Sequence, residues 1–215
     1  EKLEDPNSDE WLLLRSVQAI IVPGGFGRRG MEGKILATKY ARENKVPFLG
    51  ICLGLQMAVV EFAQNVCGLE AVSGEMFETK EELTGKDVVI DYMQGQANIH
   101  KKGGTMRLGG YDCNLEPGTL IHRLFGTNKI RERHRHRLEV QQEFLDLYKQ
   151  NGLLVSGKHH YTTNDGKQAF LVELIELDTK LHPYFVATQS HPEFLSRPGK
   201  PHPLFFGLVK NGFKR

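Results

Sequence analysis

Hydrophobic and polar positions alternate along the first third of the chain at two different periods. Gln18-Ala19-Ile20-Ile21-Val22 is apolar and β-branched after its first residue, a run suited to a strand buried on both faces. It leads straight into Pro23-Gly24-Gly25-Phe26-Gly27, a glycine-rich turn. Met31, Ile35, Leu36, Tyr40 and Ala41 then recur at helical spacing. Phe48 to Ile51 predicts the next strand, and Leu53, Met57, Val60 and Phe62 line a helix running to Asn65. Strand, helix, strand, helix predicts a parallel sheet with right-handed crossovers.

The rest of the pattern is less regular. Residues 1–10, EKLEDPNSDE, are polar and acidic and read as a linker, leaving 11–215 as one domain. Trp11 to Leu14 closes a short helix. Glu78 to Lys86 reads as charged loop, Val88 to Ile90 as a short strand, and Gln94 to Gly104 as a polar, mobile loop. Residues 133–140, RHRHRLEV, predict a strand and Gln142 to Gln150 a helix. Ala169 to Ile175 and Tyr184 to Thr188 predict late strands. Asn164-Asp165-Gly166, inside Thr162 to Lys167, signals a hairpin turn. Leu195 to Pro203 reads as proline-rich loop.

Composition changes this picture little. The 215 residues suit one α/β domain, with 40% hydrophobic and 25% charged residues, ordinary for a soluble globular protein. A net charge of +2 supplies no strong field toward nucleic acid or membrane, and no apolar run is long enough to span a bilayer. The cysteines are Cys52, Cys67 and Cys113: an odd number at wide spacing, which argues against a disulfide framework and fits a reducing, cytoplasmic setting. A chain that begins at Glu1 reads as a processed protein or an excised fragment.

The chemistry concentrates in Gly50-Ile51-Cys52-Leu53-Gly54, where a thiol sits on the sharp turn between a predicted strand and a predicted helix. This is the cysteine version of the G-x-S-x-G nucleophile elbow. A thiolate at a helix N-terminus gains from unpaired N–H groups, so a lowered Cys52 pKa is expected. The competing reading is a small buried core residue, which is what most free cysteines are. Far downstream, His191-Pro192-Glu193 follows an apolar run. The histidine can take the thiol proton and the carboxylate can hold its tautomer, although H-P-E alone also fits a plain surface loop. Amides of the Gly24–Gly27 turn, with that of Leu53, can face a developing oxyanion. The turn matches neither the G-x-G-x-x-G nor the P-loop pattern, so phosphate binding is discounted. No cysteine or histidine spacing indicates a metal. The run Arg131 to Arg137 reads as a solvated face, a nucleic-acid patch, or a carboxylate clamp. As a strand it would place Arg133, Arg135 and Arg137 on one side and His134 and His136 on the other. It lacks interleaved stacking aromatics, which counts against nucleic acid.

Together these pieces resemble the class I (triad-type) glutamine amidotransferases and, within them, the glutaminase domains of CTP synthases. The matching stretches are PGGFGRRG (23–30), PFLGICLGLQ (47–56), GGTMRLG (103–109), ERHRHRLEV (132–140) and SHPEFLSRP (190–198). The resemblance implies a three-layer, flavodoxin-like α/β fold with a mostly parallel central sheet and a nucleophile elbow. It implies that Cys52 attacks the side-chain amide of L-glutamine, with His191 as base and acid, Glu193 orienting it, and amides at Gly25 and Leu53 holding the oxyanion. Arg137 would grip the α-carboxylate, Gln56 and the Phe26 backbone would contact the substrate, and Arg29 and Arg107 would lie near a domain interface, with a role in GTP response.

The resemblance further implies no cofactor or metal within this chain. In full-length members, ammonia passes to an N-terminal synthase (amidoligase) domain that uses ATP and Mg²⁺ to aminate UTP to CTP. GTP activates, and the whole enzyme is a homotetramer. Three departures stand out. The synthase domain is absent; only 22 residues precede PGGFG, where the family has a further βα unit; and the glutamate expected directly before a phenylalanine is displaced to Glu75 in Ser73-Gly74-Glu75-Met76-Phe77. In an extended segment that displacement turns Glu75 to the other face, unless a bulge restores it. The alternatives are a glutaminase serving another acceptor and a non-catalytic regulatory or assembly module.

Overall fold

The computed structural model describes residues 1–77, 79, 81–92, 106–163 and 165–214. The polar stretch 94–104, the start of GGTMRLG and Asn164 of the hairpin turn therefore lie outside the described residues.

The first βαβα pattern forms as its periodicity dictates: β1 (Ile20–Val22), α2 (Met31–Glu43), β2 (Phe48–Ile51) and α3 (Leu53–Asn65), preceded by α1 (Asp9–Ser16). The indole of Trp11 in α1 donates to the Leu3 carbonyl at 3.0 Å, and Leu3 packs against the main core. The middle of the chain carries β3 (Ala71–Ser73), β4 (Asp87–Tyr92), β5 (Arg107–Leu115), α4 (Leu120–Phe125), β6 (Lys129–His136) and β7 (Leu138–Val140). The chain ends with α5 (Leu145–Gln150), β8 (Leu153–Thr162), β9 (Gln168–Leu177), β10 (Phe185–Thr188) and α6 (Pro203–Gly212).

Among the described residues, seven strands form one sheet in the order β1-β2-β10-β9-β8-β5-β6, and β3-β4-β7 form a second. The three-layer α/β expectation holds. Phe48, Phe185 and Ala187 join the core under α2 and α3, whereas Leu49, Ile51 and Val186 join a second core with Leu204 and Leu208 of α6. Alternate residues of each central strand thus serve opposite layers. The sheet is mixed, however, and not mostly parallel. β1–β2 and β2–β10 pair parallel, while β10–β9, β9–β8, β8–β5 and β5–β6 pair antiparallel. Among the described residues, crossover helices occur in the first half; β8 and β9 are antiparallel neighbours closed by the Thr163 N–H donating to the Lys167 carbonyl at 2.9 Å, which needs no crossover.

The predicted strand 133–140 is two strands. β6 belongs to the large sheet and β7 to the small one, with Arg137 at the bend between them. Arg133 and Arg135 are exposed and His134 and His136 buried, as the alternation predicts, but Arg137 leaves the strand at the seam.

Candidate active site

The elbow is built by close approach of backbone to backbone. A Cβ on Gly54 would lie 2.1 Å from the Val22 carbonyl oxygen, and one on Gly50 would lie 2.7 Å from the Gly54 carbonyl oxygen. Both flanking glycines are therefore dictated by the packing of α3 across the ends of β1 and β2. Between them Cys52 adopts φ 52° and ψ −103°, outside the regions open to L-residues. Such a conformation costs about 1–3 kcal/mol and needs its surroundings to hold it. The Cys52 N–H donates to the Thr188 carbonyl of β10 at 2.7 Å, which ties the turn to the neighbouring strand.

His191 enters from the other side, one turn after β10. Its N–H donates to the Arg133 carbonyl at 2.7 Å, while the Cys52 thiol contacts the Arg135 carbonyl at 3.8 Å. β6 is the edge strand of the large sheet, so its outward carbonyls, two residues apart, hold Cys52 and His191 in register. Gly24 separates their side chains: a Cβ there would sit 3.0 Å from His191 Cε1 and 3.4 Å from Cys52 Cβ. Nδ1 of His191 pairs with Glu193 Oε1 at 2.6 Å, and its ring stacks on Phe194 with centroids 5.1 Å apart. With Nδ1–H donating to the carboxylate, Nε2 carries the lone pair, and that atom is buried without a protein partner.

The electrostatics overturn one expectation. Burial pushes the Cys52 thiol up to about 12, and the charges of Glu193, Glu75 and Glu139 push the same way, while the Leu53 N–H opposes them. The helix N-terminus does act on the sulfur, through that one amide, but removing the thiolate from water outweighs it. The free site therefore holds Cys52 as a thiol rather than a thiolate.

The remaining expected residues gather around the same point in different ways. Gln56 is buried, and its Nε2 reaches the Leu138 carbonyl at 3.3 Å and Gln189 Oε1 at 3.4 Å. Phe26 is half exposed, with the Arg135 guanidinium 5.5 Å from its ring centroid. A Cβ on Gly25 would lie 3.3 Å from Leu53 Cδ2, so Gly25 and Leu53 are adjacent. Arg137 is half-buried, and its Nε is buried without a partner. Glu75 is not in an extended segment: it sits in a 3-10 turn, Gly74–Met76, after an irregularity of register at Val72/Ser73. Its Oε1 accepts from the Gly27 N–H at 2.9 Å, which places it against the glycine turn.

Arg107 departs from expectation. It is buried, 2.5 Å from Glu173 and 3.6 Å from Glu139, with its guanidinium 4.3 Å from the Tyr111 ring centroid, so it is not offered to an exposed interface. Arg29 is exposed and paired with Glu1 at 3.1 Å. Periodicity did not reveal Glu139, Gln189 or the β6 carbonyls, because their roles depend on contacts between distant segments. Among the described residues no group of metal-ligating side chains converges, and no helix is long and apolar enough to cross a membrane.

A mixed three-layer fold with a strained cysteine elbow facing a His–Glu pair defines a triad amidotransferase. The family model "Glutamine amidotransferase class-I" matches residues 2–211, and the chain belongs to that family. Its relatives include a CTP synthase of Methanococcus aeolicus, 52% identical over 199 residues covering 93% of this chain and 35% of that protein. A CTP synthase of Synechococcus is 49% identical over 216 residues, covering 100% of this chain and 36% of that protein. The chain thus spans little more than a third of the length of the curated relatives it matches. Among solved structures, the Trypanosoma brucei CTPS glutaminase domain with bound acivicin aligns with TM-score 0.86 and 35% identity, covering all of this chain and 78% of that one.

Proposed function

We propose that this chain is the glutaminase part of a CTP synthase, hydrolysing L-glutamine to glutamate and ammonia. The observation that carries the reading is the strained Cys52 turn held on the same β6 edge as the His191–Glu193 pair. Identity over almost the whole chain to CTP synthases, and the likeness to a CTPS glutaminase domain, support the choice of substrate.

His191 Nε2 takes the Cys52 proton as Sγ forms a bond to the amide carbon of the glutamine side chain. The C=O electron pair moves onto oxygen, and the amides of Gly25 and Leu53 face that oxyanion. The tetrahedral species collapses; the C–N bond breaks and His191 delivers its proton to the leaving nitrogen, releasing ammonia and a thioester. His191 then takes a proton from water, which attacks the same carbon. The C–S bond breaks and the proton returns to sulfur, freeing glutamate. Glu193 holds the imidazole in one tautomer and stabilises its cationic form. Arg137, with an unpaired buried Nε, grips the α-carboxylate; Gln56, Phe26 and Glu75 complete the pocket, with Glu75 toward the α-ammonium.

In the longer polypeptide the ammonia is consumed by the synthase domain, which aminates UTP using ATP and Mg²⁺ with GTP as activator, in a cytoplasmic homotetramer. The test is to measure glutamate and ammonia together, for wild type and Cys52→Ala. Equal yields from wild type and none from the variant support the reading. Glutamate release that persists in Cys52→Ala overturns it.

A further inference from the structure

Arg137 owes its place to a break between two sheets. β6 is paired to β5 as far as His136, and β7 is paired to β4 from Leu138, so Arg137 is the residue at which the chain passes from β6 of the large sheet to β7 of the small one. Such a seam has no ladder hydrogen bonds of its own and needs other contacts to fix its angle. The structure supplies them from side chains that the catalytic cycle does not use. His136 Nε2 and Glu139 Oε1 lie 2.7 Å apart across the bend, and both residues are buried. Arg107 stands opposite His136 in the β5–β6 register, and its guanidinium reaches Glu139 at 3.6 Å and Glu173 of β9 at 2.5 Å.

We infer that the His136–Glu139 pair, backed by Arg107, is a clasp that sets the direction of Arg137 and hence the grip on the substrate carboxylate. This deepens the glutaminase reading and rests on it. The two residues are positioning residues: neither touches the reacting atoms, and each acts through Arg137. A bidentate guanidinium–carboxylate contact depends on direction as well as charge, so a seam that can swing loses affinity without altering Cys52 or His191. The clasp is buried, so loss of Glu139 leaves His136 Nε2 without its partner, and loss of His136 leaves Glu139 only the 3.6 Å contact with Arg107.

The experiment is steady-state glutamine hydrolysis by Glu139→Ala, Glu139→Gln and His136→Ala, each alone and combined with Arg137→Ala. Glu139→Ala and His136→Ala are expected to raise KM about tenfold while kcat stays within about threefold. Glu139→Gln keeps an oxygen acceptor for His136 and is expected to hold KM within about threefold of wild type. In the Arg137→Ala background neither alanine substitution should raise KM further, because the group they direct is gone. A general structural role would instead add its effect in both backgrounds. Full additivity, or an unchanged KM in folded Glu139→Ala, overturns the inference while leaving the glutaminase reading intact. If Glu139→Ala does not fold, His136→Ala carries the same comparison. A wild-type chain that releases no glutamate overturns both.

Discussion

Gly54 packs its α-carbon against the carbonyl oxygen of Val22 so closely that a Cβ would lie 2.1 Å from it. The first turn of α3 is thereby pressed onto β1, which leaves Cys52 in its strained positive-φ conformation. Gly54→Ala should cost more than the about 1–3 kcal/mol of ordinary overpacking, because the clashing atom is backbone and cannot rotate away. Urea unfolding checks this: a midpoint shift with an unchanged m-value is expected. A variant as stable as wild type would show that α3 can slide without penalty.

The raised Cys52 pKa gives a second prediction. At pH 7 a thiol with a pKa of about 12 is thiolate in only about one molecule in 10⁵. Alkylation of Cys52 by iodoacetamide should therefore speed up about tenfold per pH unit from 7 to 10, without a plateau. A plateau with a midpoint below about pH 8 would mean that the helix end and His191 outweigh burial.

Substrate recognition separates by charge. Arg137→Ala should raise KM for glutamine about 10–100-fold, with kcat less affected, as expected for loss of a charge-assisted clamp. Glu75→Gln keeps an oxygen for the Gly27 N–H but loses the negative charge. It should raise KM as much as Glu75→Ala does if, as proposed, the charge faces the substrate ammonium. If Glu75→Gln matches wild type while Glu75→Ala does not, Glu75 only props the glycine turn.

His182 gives a stability prediction away from the site. Burial lowers its pKa to about 4, and its ring is committed on both sides, with Nε2 donating to the Ala41 carbonyl at 3.1 Å and Nδ1 accepting from the Tyr184 N–H at 3.1 Å. A folded pKa below the unfolded value of 6.5 means that the unfolded chain binds more protons between the two. Stability from this group is full above pH 6.5 and is lost as pH falls toward 4, by about 2 kcal/mol at pH 5. Thermal melts at pH 7 and 5 should show a smaller difference for His182→Gln than for wild type. Equal differences would assign the acid sensitivity elsewhere.

What was legible in the sequence follows from what is local. The elbow, its two strands and two helices are set by short runs and by glycines that neighbours force, so α2, β2 and α3 stand where periodicity places them. The antiparallel half was harder to read. β5 carries Gly109, Gly110, Asp112 and Asn114, and β8 follows Leu153-Leu154-Val155 with Ser156, Gly157, Lys158 and two histidines, so neither shows an apolar run along its length. Their stabilisation comes from cross-strand pairing and from buried ion pairs such as Arg107–Glu173, which no window of sequence contains. RHRHRLEV shows both sides of this. Its two-residue period orders the arginines and histidines of β6, but the passage from one sheet to the other at Arg137 depends on where β4 and β5 happen to lie.

The central claim is that Cys52 is a nucleophile directed at glutamine. Its most direct test is mass spectrometry of the folded chain after incubation with a diazoketone analogue of glutamine. The account predicts a single adduct, mapped to Cys52 and absent from Cys52→Ala, with Cys67 and Cys113 unmodified. No adduct on a folded chain, or an adduct shared equally among the three cysteines, would contradict it.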